Sequence, residues 1–529
     1  MKTLLTSSEP NDNLSYLIVK LNTSISSLPT TLILSSLIII KISTIFLIVR
    51  WIDRLLIGLL LSFGIYENLV IISNNGDDDD NTIDSKLTRL DSSSRDDDDD
   101  DDENDVYSLK CSLKRLVLTD LCKVSDQQLL ESQNLRVERV FRFPCYSTIY
   151  KPTPWLFKFS NLFQTIYSAL GNFSHTDQLV FERKIIQVPD GGRIALDFTP
   201  PGSFDDIADQ RSVLITLHGL TGGSHESYVR SVLSPLTSSN RWRAVVLNFR
   251  GCAGSQVTTP KLYHAGASDE LRLVIRFLKT LIAPDTKVHG IGFSLGANVL
   301  AKYLGEESGR SFIRSGVVVG NPWDLYAGHC HLESGPIKRF YSRALASNLR
   351  FVLTSFIDFN DLDLIDIDAL YSNPNQSLYE FDSIVTKTLL NLPSTEHYYK
   401  YNSSTRVVEA VRVPLLSINS IDDPIVSIDA VPIEATISNP NLVMMISKKG
   451  GHLGWFEGFW RPRRVIHRPI TDWLNSMDQN MKKTRRRDPI KEIDKGKGDD
   501  EGSITVVDDQ KGIIKSSDDV FDKGIIRGL

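Results

Sequence analysis

The sequence predicts an α/β protein with a doubly wound, mainly parallel sheet of eight strands. Six runs are short, mostly apolar and rich in branched residues, which is typical of strands buried on both faces of a parallel sheet. These runs are residues 213–217, 244–247, 288–292, 317–319, 415–418 and 443–446. Helix-like stretches alternate with them, and two further strand-like runs come first, so the chain follows the order of this fold class.

Composition indicates a globular protein that has more residues than a single hydrophobic core requires. The 529 residues are 41% hydrophobic, which is enough for a full-sized core. The net charge of −6 arises partly from aspartate runs, so no face for nucleic acid is indicated. The five cysteines are an odd number without repeated spacing, which argues against a disulfide framework and indicates a reducing compartment. His329, Cys330 and His331 are adjacent and do not easily converge on one ion, so we predict no metal and no other cofactor.

The N-terminal part contains a long apolar segment. Residues 28–49 follow an N-terminal segment of residues 1–27 and are long enough to cross a bilayer as a helix, with Lys41 as their only charge. A lysine near mid-bilayer costs about 2.5–3.5 kcal/mol, which the surrounding leucines and isoleucines offset. The segment starts too far into the chain for a signal peptide. We therefore expect a membrane-spanning helix.

A second apolar stretch, residues 55–72, extends the predicted anchor to residues 28–73. Charged residues flank or interrupt this stretch, namely Asp53, Arg54 and Glu67. A second span and an interfacial or re-entrant helix therefore both stay open. We do not favour two buried core helices of a soluble protein, because neither stretch shows an amphipathic period.

Charged segments lie on both sides of the predicted globular domain, residues 106–477. Residues 74–105 are rich in aspartate and too poor in apolar residues to fold, so we predict a disordered linker. Neither aspartate run has the spacing of a calcium-binding loop. Residues 478–529 have mixed charge and are predicted to form a disordered tail.

The domain begins with a predicted hairpin and contains one long interruption. Residues 180–187 and 193–198 read as strands joined by the turn Pro189-Asp190-Gly191-Gly192. Between two of the buried strands, residues 322–412 span far more than the roughly 2–6 residues of an ordinary α/β loop. Their aromatic and apolar clusters predict a helical cap over the carboxyl edge of the sheet.

The pattern Gly292-Phe293-Ser294-Leu295-Gly296 stands between a predicted strand and a predicted helix. In a turn this sharp, side chains two positions on either side of the serine would collide with neighbouring elements, which explains both glycines. The turn exposes the Ser294 hydroxyl and aims the N–H of Leu295 at the place where an oxyanion forms. Ser294 is therefore a candidate nucleophile.

A serine nucleophile needs a base, and the base needs an acid that holds it in one tautomer. Asp422 and Asp423 follow the strand at residues 415–418, and His452 follows the last predicted strand within a glycine-rich loop. The order serine, aspartate, histidine is that of enzymes with this type of strand-turn-helix nucleophile. Either aspartate satisfies this order.

A second oxyanion donor is expected after the strand at residues 213–217, where His218-Gly219-Leu220-Thr221-Gly222-Gly223 stands. Its glycines allow backbone N–H groups to approach a developing negative charge. We assign Leu220 as the donor, with Thr221 as the alternative. His218 is expected to be structural, because a general base is already available.

These motifs together resemble the membrane-anchored branch of the α/β-hydrolase superfamily that includes fungal medium-chain ethanol O-acyltransferases and animal abhydrolase-domain lipases and phospholipases. The resemblance runs from about residue 150 to residue 473. Besides the motifs above, it is carried by Asn248-Phe249-Arg250-Gly251-Cys252, Leu262-Tyr263-His264-Ala265-Gly266, Asn321-Pro322-Trp323 and Asp422-Asp423-Pro424. It implies an N-terminal membrane anchor and an α/β-hydrolase fold, and it favours Asp423 as the acid, with Asp422 as the fallback.

His264 and Asp269 also match H-x-x-x-x-D, a pattern associated with acyltransferases. Such a pair recurs readily by chance, and Asp269 stands where a helix would begin, so we favour an N-terminal capping role for it. Arg250 is expected to be a structural partner of a nearby acid.

The expected function is a membrane-tethered serine esterase, lipase or O-acyltransferase that acts on lipid or medium-chain acyl esters through an acyl-serine. Water as acceptor gives hydrolysis and an alcohol gives ester synthesis, and the sequence leaves this choice open. We expect the protein at the endoplasmic reticulum or another intracellular membrane. The alternative is a catalytically idle hydrolase fold that binds a lipid or a hormone.

Overall fold

The computed structural model describes residues 116–118, 150, 152–153, 160–171, 173, 175–356, 364–459, 461–480, 504–508 and 513–515. The chain divides into two compact units, Met1–Asp97 and Asp98–Leu529, and the described residues belong to the second. The predicted anchor and linker lie outside the described residues. Within the described ranges, no helix is both long and apolar enough to span a bilayer.

The strands form one large sheet and one small one. Those of the large sheet are β1 Leu116–Leu118, β2 Val180–Gln187, β3 Arg193–Thr199, β4 Ser212–Leu217, β5 Trp242–Asn248, β6 Val288–Phe293, β7 Gly316–Val319, β8 Leu415–Ser420, β9 Leu442–Ser447, β12 Thr505–Asp508 and β13 Ile513–Lys515. Their order is β1-β9-β8-β7-β6-β4-β5-β3-β2-β12, with β13 also paired to β2. The small sheet pairs β10 Phe456–Glu457 with β11 Arg463–Arg464.

The large sheet is parallel from β1 through β9, β8, β7, β6 and β4 to β5. The β2–β3 hairpin adds two antiparallel strands at the other side. Every residue of β4 to β9 is buried, as expected for parallel strands covered on both faces. The mainly parallel sheet and the predicted hairpin are therefore confirmed.

Helices follow the strands and surround the sheet. They are α1 Ser160–Leu170, α2 Ser227–Thr237, α3 Ser268–Lys279, α4 Leu295–Glu307, α5 Leu325–Glu333, α6 Pro336–Phe356, α7 Ile367–Ser372, α8 Leu378–Phe381, α9 Lys387–Leu389, α10 Thr395–Asn402, α11 Ile433–Ser438 and α12 His467–Asn480. A π-helical turn, Asp382–Thr386, joins α8 to α9. Short 3-10 turns lie at Ser308–Arg310, Ser404–Arg406, Val408–Ala410 and Ile428–Ala430.

The two faces of the sheet are covered by different helices. Residues of α2 and α12 share one hydrophobic core with Ile291 and Phe293 of β6. A side chain at Gly290 would instead meet Leu300 of α4, at 2.9 Å. Because alternate residues of a strand point to opposite faces, α4 covers the face opposite α2 and α12.

The described part of the large sheet has eleven strands where the sequence predicted eight. The eight are the series from β2 to β9, and the additional ones are short strands at the two sides. Thr505–Asp508 and Ile513–Lys515 pair antiparallel with β2, although they belong to the segment predicted as a disordered tail. An edge strand offers unpaired N–H and C=O groups, which an extended apolar segment such as these can satisfy.

Candidate active site

Ser294 forms the turn between the end of β6 and the start of α4. Its backbone has φ 50° and ψ −118°, a conformation that non-glycine residues rarely adopt. A Cβ at Gly292 would lie 2.4 Å from the carbonyl oxygen of Gly296, and a Cβ at Gly296 would lie 2.4 Å from that of His218. Both contacts are with backbone atoms, so neither position accepts a side chain without moving the turn.

The structure brings the three predicted triad residues together from three separate loops. Ser294 Oγ lies 2.9 Å from His452 Nε2, and His452 Nδ1 lies 2.7 Å from Asp423 Oδ2. The other oxygen of Asp423 accepts the N–H groups of Ile425 at 2.8 Å and Val426 at 2.9 Å. His452 and Asp423 are buried. With its proton on Nδ1, the ring donates to Asp423 and leaves Nε2 free to accept from the serine hydroxyl.

Asp422, the alternative acid, contacts the backbone of the histidine loop. Its Oδ1 accepts the N–H of Gly451 at 2.8 Å. Burial raises the pKa of Asp422 to about 6. The carboxylate at the imidazole ring is therefore that of Asp423, while Asp422 ties the strand end after β8 to the loop that carries His452.

The histidine loop is also held from helix α1. The N–H of His452 donates to Thr165 Oγ1 at 2.9 Å, across 287 positions of sequence. Ser168 of the same helix donates its hydroxyl to the carbonyl of Leu453 at 3.2 Å. Sequence reasoning missed both residues, because nothing in the local pattern of α1 indicates what it contacts.

The predicted oxyanion donors lie beside Ser294. Leu220 and Leu295 line the same cavity as the serine. Among the described residues, no hydrogen-bond acceptor is seen for the N–H of either. The N–H of Thr221, the alternative donor, is taken by the hydroxyl of Tyr263. Of the two candidate donors in this loop, Leu220 is thus the one whose N–H is available to a ligand.

His218 holds the oxyanion loop against the next strand. Its Nδ1 lies 2.7 Å from the carbonyl oxygen of Gly219, and its Nε2 accepts the N–H of Phe249 at 3.2 Å. Burial lowers the pKa of His218 to about 4, so the ring is neutral at pH 7. These contacts match the structural role that the sequence predicts for His218.

His264 and Asp269 are not brought together. His264 lines the cavity, and its Nδ1 accepts the N–H of Gly266 at 3.1 Å. The side chain of Asp269 is 82% exposed and pairs with Arg272 at 2.8 Å. Asp269 lies in the first turn of α3, but the N-cap residue of this helix is Ala267, so Asp269 does not occupy the capping position.

Arg250 pairs with two acids. Its guanidinium lies 2.6 Å from Glu270 and 2.8 Å from Asp190. Glu270 is buried and belongs to α3, whereas Asp190 belongs to the turn between β2 and β3. These contacts match the structural role expected from the sequence.

The cap, here the helices α5 to α10, covers the cavity above Ser294. Leucines of the cap form much of the wall, including Leu325, Leu332, Leu345 and Leu349. The adjacent His329, Cys330 and His331 lie in α5. His329 stacks on the ring of Tyr379 at 4.4 Å, and Cys330 is exposed. Within the part of the chain that the structure describes, no three metal-ligating side chains cluster.

Comparison with known proteins identifies a family and several relatives that this chain resembles. The family described as the alpha/beta hydrolase fold matches residues 212–459. A monoacylglycerol lipase of Saccharomyces cerevisiae is 33% identical over 332 residues, which are 56% of this chain and 74% of the relative. The medium-chain fatty acid ethyl ester synthase/esterase 2 of the same yeast is 30% identical over 376 residues, or 58% of this chain and 82% of the relative.

A third relative is the phospholipase ABHD3 of Bos taurus, 29% identical over 327 residues, which are 61% of this chain and 77% of that protein. All three relatives carry the names of enzymes that cleave or form esters. The chain therefore belongs to the α/β-hydrolase family, in the branch of lipases, esterases and acyltransferases that the sequence motifs indicated.

Proposed function

We propose that the protein is a membrane-tethered serine hydrolase or acyltransferase that acts on lipid or medium-chain acyl esters through an acyl-serine. The observation that carries this proposal is the hydrogen-bonded series Ser294, His452 and Asp423 beside an apolar cavity. The named activities of the relatives are consistent with such substrates.

The first half of the reaction forms the acyl-serine. Nε2 of His452 takes the hydroxyl proton as Ser294 Oγ attacks the ester carbonyl carbon, and Asp423 stabilises the imidazolium that results. The N–H groups of Leu220 and Leu295 stabilise the oxyanion. When the C–O bond to the alcohol breaks, His452 returns its proton to the leaving oxygen.

The second half repeats these steps with an acceptor. Water attacks the acyl carbon and yields the free acid, or an alcohol attacks and yields a new ester. In both cases His452 takes the acceptor's proton and returns it to Ser294 Oγ. The leucine-rich wall of the cavity favours a poorly hydrated acceptor, so we expect an alcohol to compete with water.

The proposed tether lies in the N-terminal part of the chain. It rests on the apolar residues 28–73 and on the resemblance to a membrane-anchored branch. In this proposal the linker of residues 74–105 connects the anchor to the domain of residues 106–477. A chain that lacks residues 1–105 should leave the membrane fraction and still cleave soluble esters. Sedimentation of that shortened chain with membranes would contradict the tether.

A fluorophosphonate probe tests the nucleophile directly, because it forms a covalent bond only with an activated serine. The wild type should be labelled and should cleave a medium-chain ester, whereas Ser294→Ala should do neither. Ser372→Ala is the matched control, since Ser372 is an exposed cap serine whose hydroxyl donates to the carbonyl of Ala369 in its own helix. Labelling that survives in Ser294→Ala would place the nucleophile elsewhere. Wild type that is neither labelled nor active would favour the idle, ligand-binding alternative.

Product analysis tests the acceptor. With a medium-chain acyl donor, the fraction of free acid should fall and the fraction of new ester should rise as ethanol is added. A fraction of free acid that stays constant across the ethanol series would leave a plain hydrolase.

A further inference from the structure

The loop that carries His452 has a backbone that needs support from other elements. Gly451, Leu453 and Trp455 all lie in the left-handed region, with φ of 58°, 55° and 52°. A non-glycine residue is strained in this region and persists there only where the surrounding structure fixes it. Because His452 lies between two of these residues, the contacts of its own backbone help to determine where the imidazole ring stands beside Ser294.

The backbone N–H of His452 is held by helix α1. It donates to Thr165 Oγ1 at 2.9 Å. Both residues are fully buried, so bulk water does not replace this bond when the hydroxyl moves away. The position of the Thr165 hydroxyl therefore affects the position of the base of the triad.

The Thr165 side chain is held in turn by the cap. The hydroxyl of Tyr341, in helix α6, forms a hydrogen bond with the side chain of Thr165. A threonine hydroxyl has one donor and two acceptor sites, so Thr165 can bond Tyr341 while it accepts the N–H of His452. Burial, and to a smaller extent the charge of Asp423, raises the pKa of Tyr341, so its hydroxyl is protonated at pH 7.

Helix α6 also forms part of the wall of the cavity beside Ser294. Leu345 and Leu349 line this cavity. They follow Tyr341 by one and two helical turns, which places the three side chains on one face of α6. Tyr341 and Leu345 share a buried cluster with Ala169 of α1. One face of a cap helix thus borders the cavity and reaches the helix that holds the histidine loop.

We propose that Tyr341 is a positioning residue for the general base, which it holds in place through Thr165. Tyr341 is not among the described residues that line the cavity, so its effect should fall on proton transfer by His452 and not on substrate binding. A small displacement of a catalytic group is enough to slow a reaction severely. This inference rests on the proposed function, because it assigns a role in the reaction of Ser294.

A double-mutant cycle on a soluble ester, para-nitrophenyl octanoate, tests the proposal. Tyr341→Phe removes one hydroxyl and keeps the ring, so kcat should fall about fivefold or more at unchanged KM, the scale of one hydrogen bond. Thr165→Val leaves the buried N–H of His452 without an acceptor and should lower kcat about 10²-fold. Because Tyr341 acts through Thr165, the double variant should be no slower than Thr165→Val alone.

Three controls separate positioning from folding. Thr165→Ser keeps the hydroxyl and should retain most of the wild-type kcat. Tyr401→Phe removes the hydroxyl of an exposed cap tyrosine and should leave kcat unchanged. Active sites are counted by complete fluorophosphonate labelling, so that a variant that folds poorly is not mistaken for a slower enzyme.

Three kinetic results would overturn the proposal. The first is an unchanged kcat in Tyr341→Phe, which would show that the Thr165 hydroxyl bonds a carbonyl of its own helix instead. The second is a pair of losses that multiply in the double variant, which would show that Tyr341 acts on Asp423 or on the cap alone. The third is a change confined to KM, which would indicate a role in substrate binding.

Hydrogen exchange of the His452 amide examines the same contacts without turnover. Tyr341→Phe should speed the exchange of this amide about fivefold or more, whereas Tyr401→Phe should leave it at the wild-type rate. A wild-type rate in Tyr341→Phe would overturn the proposal. Because this measurement needs no substrate, an inactive wild type would count against the proposed function alone.

Discussion

The edge of the sheet that carries the triad and the cap above it are built differently. At the edge, backbone packs on backbone, and an added Cβ at Gly296 would lie 2.4 Å from a carbonyl oxygen. In the cap, a Cβ at Gly328 would meet nothing within 4 Å. The difference indicates that the edge determines where the chemistry occurs, whereas the cap has room to change which substrate enters.

Asn298 of α4 connects the two regions. Its side-chain amide donates to the carbonyls of Ala265 at 2.9 Å and Asn402 at 2.8 Å. Its oxygen accepts the N–H of Ser404 at 3.0 Å. One buried side chain four positions after Ser294 thus holds the end of the cap to the helix that begins at the nucleophile.

The largest effect on turnover is expected from substitution of Asp423, the acid at the sheet edge. Asp423→Asn should lower kcat by about 10⁴-fold, because the amide leaves His452 in the wrong tautomer. Asp422→Asn should cost no more than about tenfold, the scale of one lost neutral hydrogen bond, because Asp422 accepts the backbone N–H of Gly451, whereas the imidazole of His452 is paired with Asp423. Steady-state turnover of a soluble ester gives both values. The reverse ranking would assign the acid role to Asp422.

A smaller effect is expected from paired glycine substitutions. Gly296→Ala should destabilise the fold by about 3 kcal/mol through overpacking and lower turnover by about 10²-fold through displacement of the turn. Gly328→Ala, within helix α5, should instead stabilise the fold by about 0.5–1 kcal/mol. Denaturant unfolding and ester turnover check both. Similar losses from the two substitutions would remove the distinction between edge and cap.

A last effect, on stability alone, is expected from pH, with opposite signs in the two regions. His218 at the edge has a folded-state pKa of about 4 against an ordinary value of 6.5. The unfolded chain therefore binds more protons between these values, and stability falls as pH falls from 6.5 to 4. Asp382 in the cap has a folded-state pKa of about 6 against 3.8, so its contribution is present below pH 3.8 and is lost as pH rises through 6.

Asp382→Asn removes the contribution of opposite sign. The variant should lose more stability than the wild type on acidification from pH 6.5 to 4, by up to about 3 kcal/mol at about 1.4 kcal/mol per pKa unit. Thermal or denaturant unfolding across this range measures the difference. A gap between variant and wild type that does not change with pH would show that Asp382 titrates normally.

Local sequence patterns were sufficient to predict most of the sheet edge that carries the triad. The apolar runs identified β4 to β9 to within two residues at each end, because a strand that is buried on both faces is mostly apolar along its whole length. The two glycines around Ser294 follow from the sharpness of the turn, where a Cβ at Gly292 would meet the carbonyl of Gly296 and a Cβ at Gly296 would meet the carbonyl of His218 after the neighbouring strand. The chain order of Ser294, the aspartate pair and His452 follows from the order of the strands that they succeed.

Only the tertiary structure decided which neighbouring groups meet. Asp422 and Asp423 are identical in type and adjacent, and the path of the loop after β8 decides which one contacts His452. The hydroxyl of Tyr263, 42 positions away in sequence, accepts the hydrogen bond of the Thr221 N–H. Asp382 enters the cavity only because the cap folds over Ser294. Periodicity and turn sterics act over a few residues, so they can be predicted from the sequence. These contacts depend on long-range packing, which leaves no local pattern.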